Sequence, residues 1–134
     1  MQVIVNAISA HTGGMVTYTT NILQHFLDAG LKATFCLPEE FPGVPTLPET
    51  TSINIRPMQA TRYSSIRRFL WEQTFWRKLV RDSGADILFS SANYGLLRPP
   101  IPQVLLVQGE ISFNPVYQER VLPRFNAMEN LLFA

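Results

Sequence analysis

Two adjacent glycines, Gly13 and Gly14, separate a short β-branched run from the start of a helical apolar pattern. Glycines at such a junction have a chemical use. With no Cβ in the way, a phosphate can reach the backbone. The helix behind them offers unpaired N–H groups and roughly half a positive elementary charge. Gly13, Gly14 and Met15 are therefore candidate contacts for a diphosphate, although a tight turn holding no ligand fits the same residues. The junction is not a G-x-G-x-x-G fingerprint and no G-K-[ST] follows, which disfavours a standard dinucleotide site or a P-loop. His11, Asn93, Tyr94 and Gln108 each follow a predicted strand, where ligands gather in open α/β sheets. His11 is equally a solvent-exposed loop residue, and His25 reads as a helix-surface residue. With His11, His25 and Cys36 far apart, no metal-ligand cluster is visible. Ser90-Ser91 is not in a G-x-S-x-G elbow. Cys36 lies in an apolar run and reads as a small buried side chain.

The elements that must position these residues follow from periodicity. Gln2–Ile8 reads as a buried strand, central in a parallel sheet. A helix starts near Met15, with Val16, Thr19, Ile22, Leu23, Phe26 and Leu27 on one face, and Gly30 ends it. Ala33–Leu37 is a second strand. The stretch Pro38–Arg62 is proline-rich and reads as a long loop, with a short strand at Ser52–Arg56 that turns Ile53 and Ile55 inward. Ser64–Ser83 is the longest helix, Asp86–Phe89 a strand, Ser90–Pro102 a loop, and Gln103–Gln108 a strand with Val104–Val107 fully apolar. A last helix runs from near Tyr117 toward Ala134, with Pro123 as a kink or break. Strands alternating with helices predict an α/β, Rossmann-like three-layer domain with a mostly parallel sheet and helices on both faces.

Composition bounds the function. The 134 residues suit a single domain, spanning the whole chain. The chain is 46% hydrophobic and 16% charged, which argues against disorder. A formal net charge of +1 gives no global attraction for nucleic acid. No apolar stretch approaches the ~20 residues needed to cross a bilayer. The first ten residues lack the basic start of a signal peptide. A single cysteine excludes an intramolecular disulfide and fits a reducing, cytoplasmic setting.

On a helical wheel of Ser64–Ser83, Ile66, Phe69, Leu70, Trp76 and Val80 share a face that should pack on the sheet. Trp71, Phe75 and Leu79 form a second stripe, with Arg67, Arg68 and Lys78 beside it. Exposed aromatics flanked by cations suit a membrane surface, so Trp71, Phe75, Arg67 and Arg68 are membrane-facing candidates. Cover by another helix or a further domain explains the stripe as well.

Three segments together resemble the N-terminal domain of the family 4 (group 1) glycosyltransferases. These are Val5-Asn6-Ala7 through Thr12-Gly13-Gly14 to Tyr18; Ala85–Ser90 followed by Ala92-Asn93-Tyr94-Gly95; and Pro102–Val107 followed by Phe113 and Pro115. The resemblance implies one half of a GT-B architecture, in which two Rossmann-like domains face a cleft. The N-terminal domain holds the acceptor, and a C-terminal domain, expected beyond Ala134, binds most of a nucleotide sugar. It further implies transfer of a sugar to a carbohydrate or lipid-linked acceptor, with the nucleotide sugar as substrate; the residues themselves show no cofactor or metal site. The glycine turn would meet the donor diphosphate. His11, Tyr18, Asn93 and Tyr94 would line the acceptor side, and docking would be peripheral, on the inner face of a membrane. Where many members carry His-Asp, this chain has Gln108-Gly109. Gln108 can contact a sugar hydroxyl but cannot act as an acid or base near neutral pH. The rival readings are a non-catalytic domain that self-associates as a homodimer through its exposed half-cleft, and an unrelated nucleotide-binding Rossmann domain.

Overall fold

β-branched side chains are stiff at χ1 and favour extended backbone. Val3, Ile4 and Val5 accordingly form the middle of the first strand, β1 (Gln2–Asn6). The computed structural model describes residues 1–42, 47, 51–59, 63–91, 94–107 and 114–120. After β1 come α1 (Gly13–Asp28), β2 (Lys32–Pro38) and β3 (Ile53–Met58). A continuous helical rod follows, made of α2 (Ser65–Trp71), one π-helical segment (Glu72–Trp76) and α3 (Arg77–Asp82). β4 (Ile87–Ser90), β5 (Gln103–Leu105) and α4 (Pro115–Arg120) complete the order. The five strands form one sheet in the order β3-β2-β1-β4-β5, and every neighbouring pair is parallel. The sheet is thus wholly parallel rather than mostly so, and the fold is α/β and Rossmann-like.

Alternation along the strands divides the core between two helix layers. Val3, Val5, Ala33, Phe35, Leu37 and Ile53 meet α1 through Leu23. Ile4, Cys36 and Leu88 meet the rod through Trp76 and Val80. Ile53 is buried and Ile55 packs on the α1 side, as the alternation predicted. Pro57 sits in β3, where an edge strand tolerates a missing N–H. Cys36 is fully buried, and loss of solvation pushes its thiol up to about 12.

Four expectations are corrected. β1 stops at Asn6 rather than Ile8, because the Asn6 carboxamide oxygen accepts from the Ile8 N–H at 3.4 Å and turns the chain. The last strand ends at Leu105 rather than running on to Gln108. Among the described residues β5 pairs with β4 alone, and it leaves Val104 53% and Leu105 41% exposed. Pattern alone does not distinguish a central apolar strand from an edge one. The rod's expected sheet face holds at Trp76 and Val80 but not at Ile66 and Leu70. Ile66 and Leu70 are exposed, whereas Glu72, Trp76 and Val80 are buried. Residues spaced by four drift about 40° per step on an α-helix. The wider i→i+5 turn at Glu72–Trp76 takes back part of that drift and holds 68, 72, 76 and 80 in line. The last helix begins at Pro115 rather than Tyr117. Its predicted course to Ala134 and the break at Pro123 lie outside the described residues.

Candidate functional site

In a 3-2-1-4-5 sheet the chain order reverses between β1 and β4, and the carboxyl ends of those strands mark the switch point where open α/β sheets commonly place ligands. Asn6 ends β1 in register with Ser90, which ends β4. The Ser91 N–H and hydroxyl both donate to the Asn6 carbonyl, at 3.1 and 2.9 Å, and tie the two strand ends together. Ser90 Oγ is buried on this seam without a hydrogen-bond partner among the described residues.

The β1–α1 loop forms one wall. Ala10 and His11 donate backbone N–H groups to the carbonyls of Ala7 and Ser9, at 3.0 and 2.9 Å. Thr12 is extended, and Gly13 follows at φ +59°. That left-handed geometry explains a glycine at position 13 by itself. Gly14 has no positive φ, and a Cβ there would meet nothing within 4 Å. Its glycine is therefore not required by the fold. His11, Thr12, Gly13 and Gly14 are all exposed at the start of α1, and Met15 is partly buried against the core. Tyr18 lies one turn further along and is partly buried, which pushes its phenol up.

The rod supplies the second wall, with residues that the helical wheel assigned elsewhere. Arg68 is not outward-facing. Its Nε donates to Glu72 Oε1 at 3.1 Å and its Nη2 donates to Ser9 Oγ at 2.7 Å. The Arg68 side chain is 19% exposed and that of Glu72 only 5%. Burial holds the Glu72 carboxyl above the usual range, against the opposing charge and hydrogen bond of Arg68 and a hydrogen bond from Asn6. Trp71 also turns partly inward and stacks on Trp76 at 6.4 Å and on Phe75 at 5.6 Å. Of the four membrane-facing candidates, Phe75 and Arg67 are exposed, and Arg67 lies 4.3 Å above the Tyr63 ring.

The loop after β4 is strapped to the rod. Gln73 donates to the Gly95 carbonyl at 3.3 Å and accepts from the Leu97 N–H at 3.0 Å. Arg77 donates to the Arg98 carbonyl at 2.8 Å. Gln103 brackets Leu96 through bonds of 2.8 and 3.3 Å. Tyr94 sits exposed at the start of this strapped segment. Asn93 and Gln108 lie outside the described residues. An open groove of about 260 Å³, lined by Arg56, Phe75, Lys78, Leu79, Asp82 and Ser83, lies toward the far end of the rod.

The structure therefore joins Ser9, Arg68, Glu72 and Asn6 by direct hydrogen bonds at the carboxyl end of β1. The usable sequence signal was the Arg68–Glu72 spacing of four, which places the pair on one helical line. No described group of His, Cys, Asp and Glu can hold a metal ion.

Two predictions follow from these placements. Gly13→Ala should cost about 1 kcal/mol of unfolding free energy through left-handed strain. Gly14→Ala, by contrast, should hold or slightly raise it, as read by urea denaturation, because alanine favours helix. A carboxyl raised in the fold stabilises it fully when protonated and loses that contribution as pH rises through its folded value. Glu72→Gln should thus match the parent near pH 4 and exceed it in melting temperature increasingly above about pH 4.5, the ordinary glutamate value.

No protein-family model, curated protein or solved structure matches the chain, so its own geometry carries the functional reading.

Proposed function

We propose that this chain is the acceptor-side lobe of a GT-B glycosyltransferase that moves a sugar from a nucleotide sugar to a carbohydrate or lipid-linked acceptor. The observation that carries the reading is the exposed Gly13–Gly14 turn at the head of α1, at the β1–β4 switch point of the sheet. Gly14 is the telling residue, since neither its backbone angle nor its surroundings call for a glycine. In this reading the amides of Gly13, Gly14 and Met15 meet the donor diphosphate. His11, Tyr18 and Tyr94 line the acceptor side, Asn93 and Gln108 keep the roles that the sequence resemblance implies, and a second lobe supplies most of the donor contacts. The nucleotide sugar is a substrate, and no metal is invoked.

A lipid-linked acceptor agrees with the outer face of the rod. Ile66, Leu70 and Phe75 are 47, 58 and 55% exposed, with Arg67 and Lys78 exposed alongside. Apolar side chains flanked by cations suit the interface of an anionic bilayer. No described helix is long and apolar enough to cross a membrane, which is compatible with docking on its surface.

A second reading, a non-catalytic domain that pairs with its own copy, draws on the β5 edge, which no described strand covers. Val104, Leu105 and Val107 are exposed there together with Leu97. A strand edge with apolar side chains on both faces is a ready pairing surface.

Titration of nitrogen-15-labelled protein with UDP-glucose and GDP-mannose at millimolar concentration should shift the amides of Thr12 to Met15. Shifts confined to other regions, or none at all, would falsify the donor site. Flotation with phosphatidylglycerol vesicles should carry the parent protein, and Leu70→Gln/Phe75→Gln should lower the bound fraction several-fold. Equal flotation of both proteins rules out the rod as the membrane contact.

A further inference from the structure

Two hydrogen-bond chains start at the Glu72 carboxyl and end in the same loop. In the first, Arg68 Nε donates to Glu72 Oε1 at 3.1 Å and Arg68 Nη2 donates to Ser9 Oγ at 2.7 Å. In the second, the Asn6 side chain bonds to Glu72, and its Oδ1 accepts from the Ile8 N–H at 3.4 Å. The Ser9 carbonyl accepts from the His11 N–H at 2.9 Å, so the place of Ser9 sets the course of the chain toward Gly13 and Gly14. Ala7, Ile8 and Ala10 are fully buried, whereas His11, Thr12, Gly13 and Gly14 are exposed. Glu72 is the one buried acid among the described residues.

Loss of the Glu72 charge undoes the first chain and spares the second. A neutral carboxyl still accepts from the Asn6 amide. Arg68 is left as a partly buried cation without a counter-ion, which is costly. Its side chain already touches solvent, at 19% exposure, and turning outward restores its hydration. The surrounding charges do not replace Glu72. On the sheet face under the rod the strands carry Lys32, Cys36 and Arg56. The two cations are exposed, and the Cys36 thiol, at about 12, stays neutral in acid. On the rod, Arg67, Arg77, Lys78 and Arg81 are exposed, and Asp82 pairs with Arg81. The loops add His11, Glu39, Glu40 and Arg98, all exposed.

We infer that Glu72 is the pin of a proton-operated latch on the β1–α1 loop: its carboxylate holds Arg68 on Ser9, and its protonation lets Arg68 turn to solvent and frees the chain from Ser9 to Gly14. The latch needs no ligand and stands apart from the sugar-transfer reading. Its sign follows from burial, which holds the Glu72 carboxyl above the ordinary glutamate value of 4.5. The latch is shut while Glu72 is ionised and opens as pH falls through its folded value. The protein stays folded through that step, because a carboxyl raised in the fold stabilises it when protonated.

The test is an NMR titration of the full chain, labelled with carbon-13 and nitrogen-15, from about pH 8 down to about pH 4.5. The Glu72 carboxyl carbon, the Arg68 Nε–H and the amides of Thr12 to Gly14 should move with one shared midpoint. Protection of the His11 amide against hydrogen exchange should fall about fivefold on the acid side, the order of one hydrogen bond. Phe35 in β2 should keep its protection. Glu72→Gln should show the acid-side loop signals at pH 8 and no movement with pH. Ser9→Ala, a change in the loop alone, should free the loop at every pH while Glu72 still titrates. His11→Gln should leave the midpoint in place, which separates the latch from titration of the loop's own imidazole. Loop signals that stay still while Glu72 titrates overturn the latch. So does a loop midpoint that persists in Glu72→Gln or Ser9→Ala, or a loss of Phe35 protection in step with the loop.

Discussion

β1 is hydrogen-bonded along both edges and covered on both faces, and the rest of the molecule is hung from that one strand. β2 pairs with it through Gln2 to Asn6, and β4 through Val3 to Asn6. Its side chains alternate between the two helix layers, Val3 and Val5 toward α1 and Ile4 toward the rod. A one-residue slip would exchange these faces and bring Asn6 into the wrong core. Register at β1 therefore places the glycine turn, the Asn6–Ser91 tie and the helix layers at once.

The switch point at the end of β1 is polar where the sheet is apolar. Asn6 and Glu72 are buried together and share hydrogen bonds, with Arg68 and Ser9 at the margin. Such a cluster contributes little to stability by itself, because desolvation of the carboxylate offsets much of the ion-pair attraction. Its effect is geometric. A side chain with four rotatable torsions is held at both Nε and Nη2, against a loop and a helix that come from different parts of the sequence.

The fold was largely legible from residue patterns. The β-branched run at Val3–Val5, the glycines after helices and the inward alternation of Ile53 and Ile55 each came from local chemistry that the tertiary structure respects. Two failures share a cause. The exposure of Val104 and Leu105 depends on which strand pairs next to β5, and the inward face of the rod depends on a π-helical turn. Neither is encoded in a local apolar period. Gly13 and Gly14 are exposed at the start of α1, as a turn between a strand and a helix requires. Arg68 and Glu72 were not recognised as a site, because a wheel drawn with a uniform 3.6-residue period turns Arg68 outward. The assignment of Asn93 and Gln108 falls on residues that the structure does not describe.

The bonds from Gln73, Arg77 and Gln103 give the two sides of the switch point unequal stiffness. On one side the backbone at Tyr94–Arg98 is clamped to a helix and a strand, and its shape is decided before anything arrives. On the other, Gly13 and Gly14 have no side chains to jam and open space around them. The clamped side therefore holds its shape, and any adjustment falls on the glycine side, with the backbone torsions of two residues setting its limit.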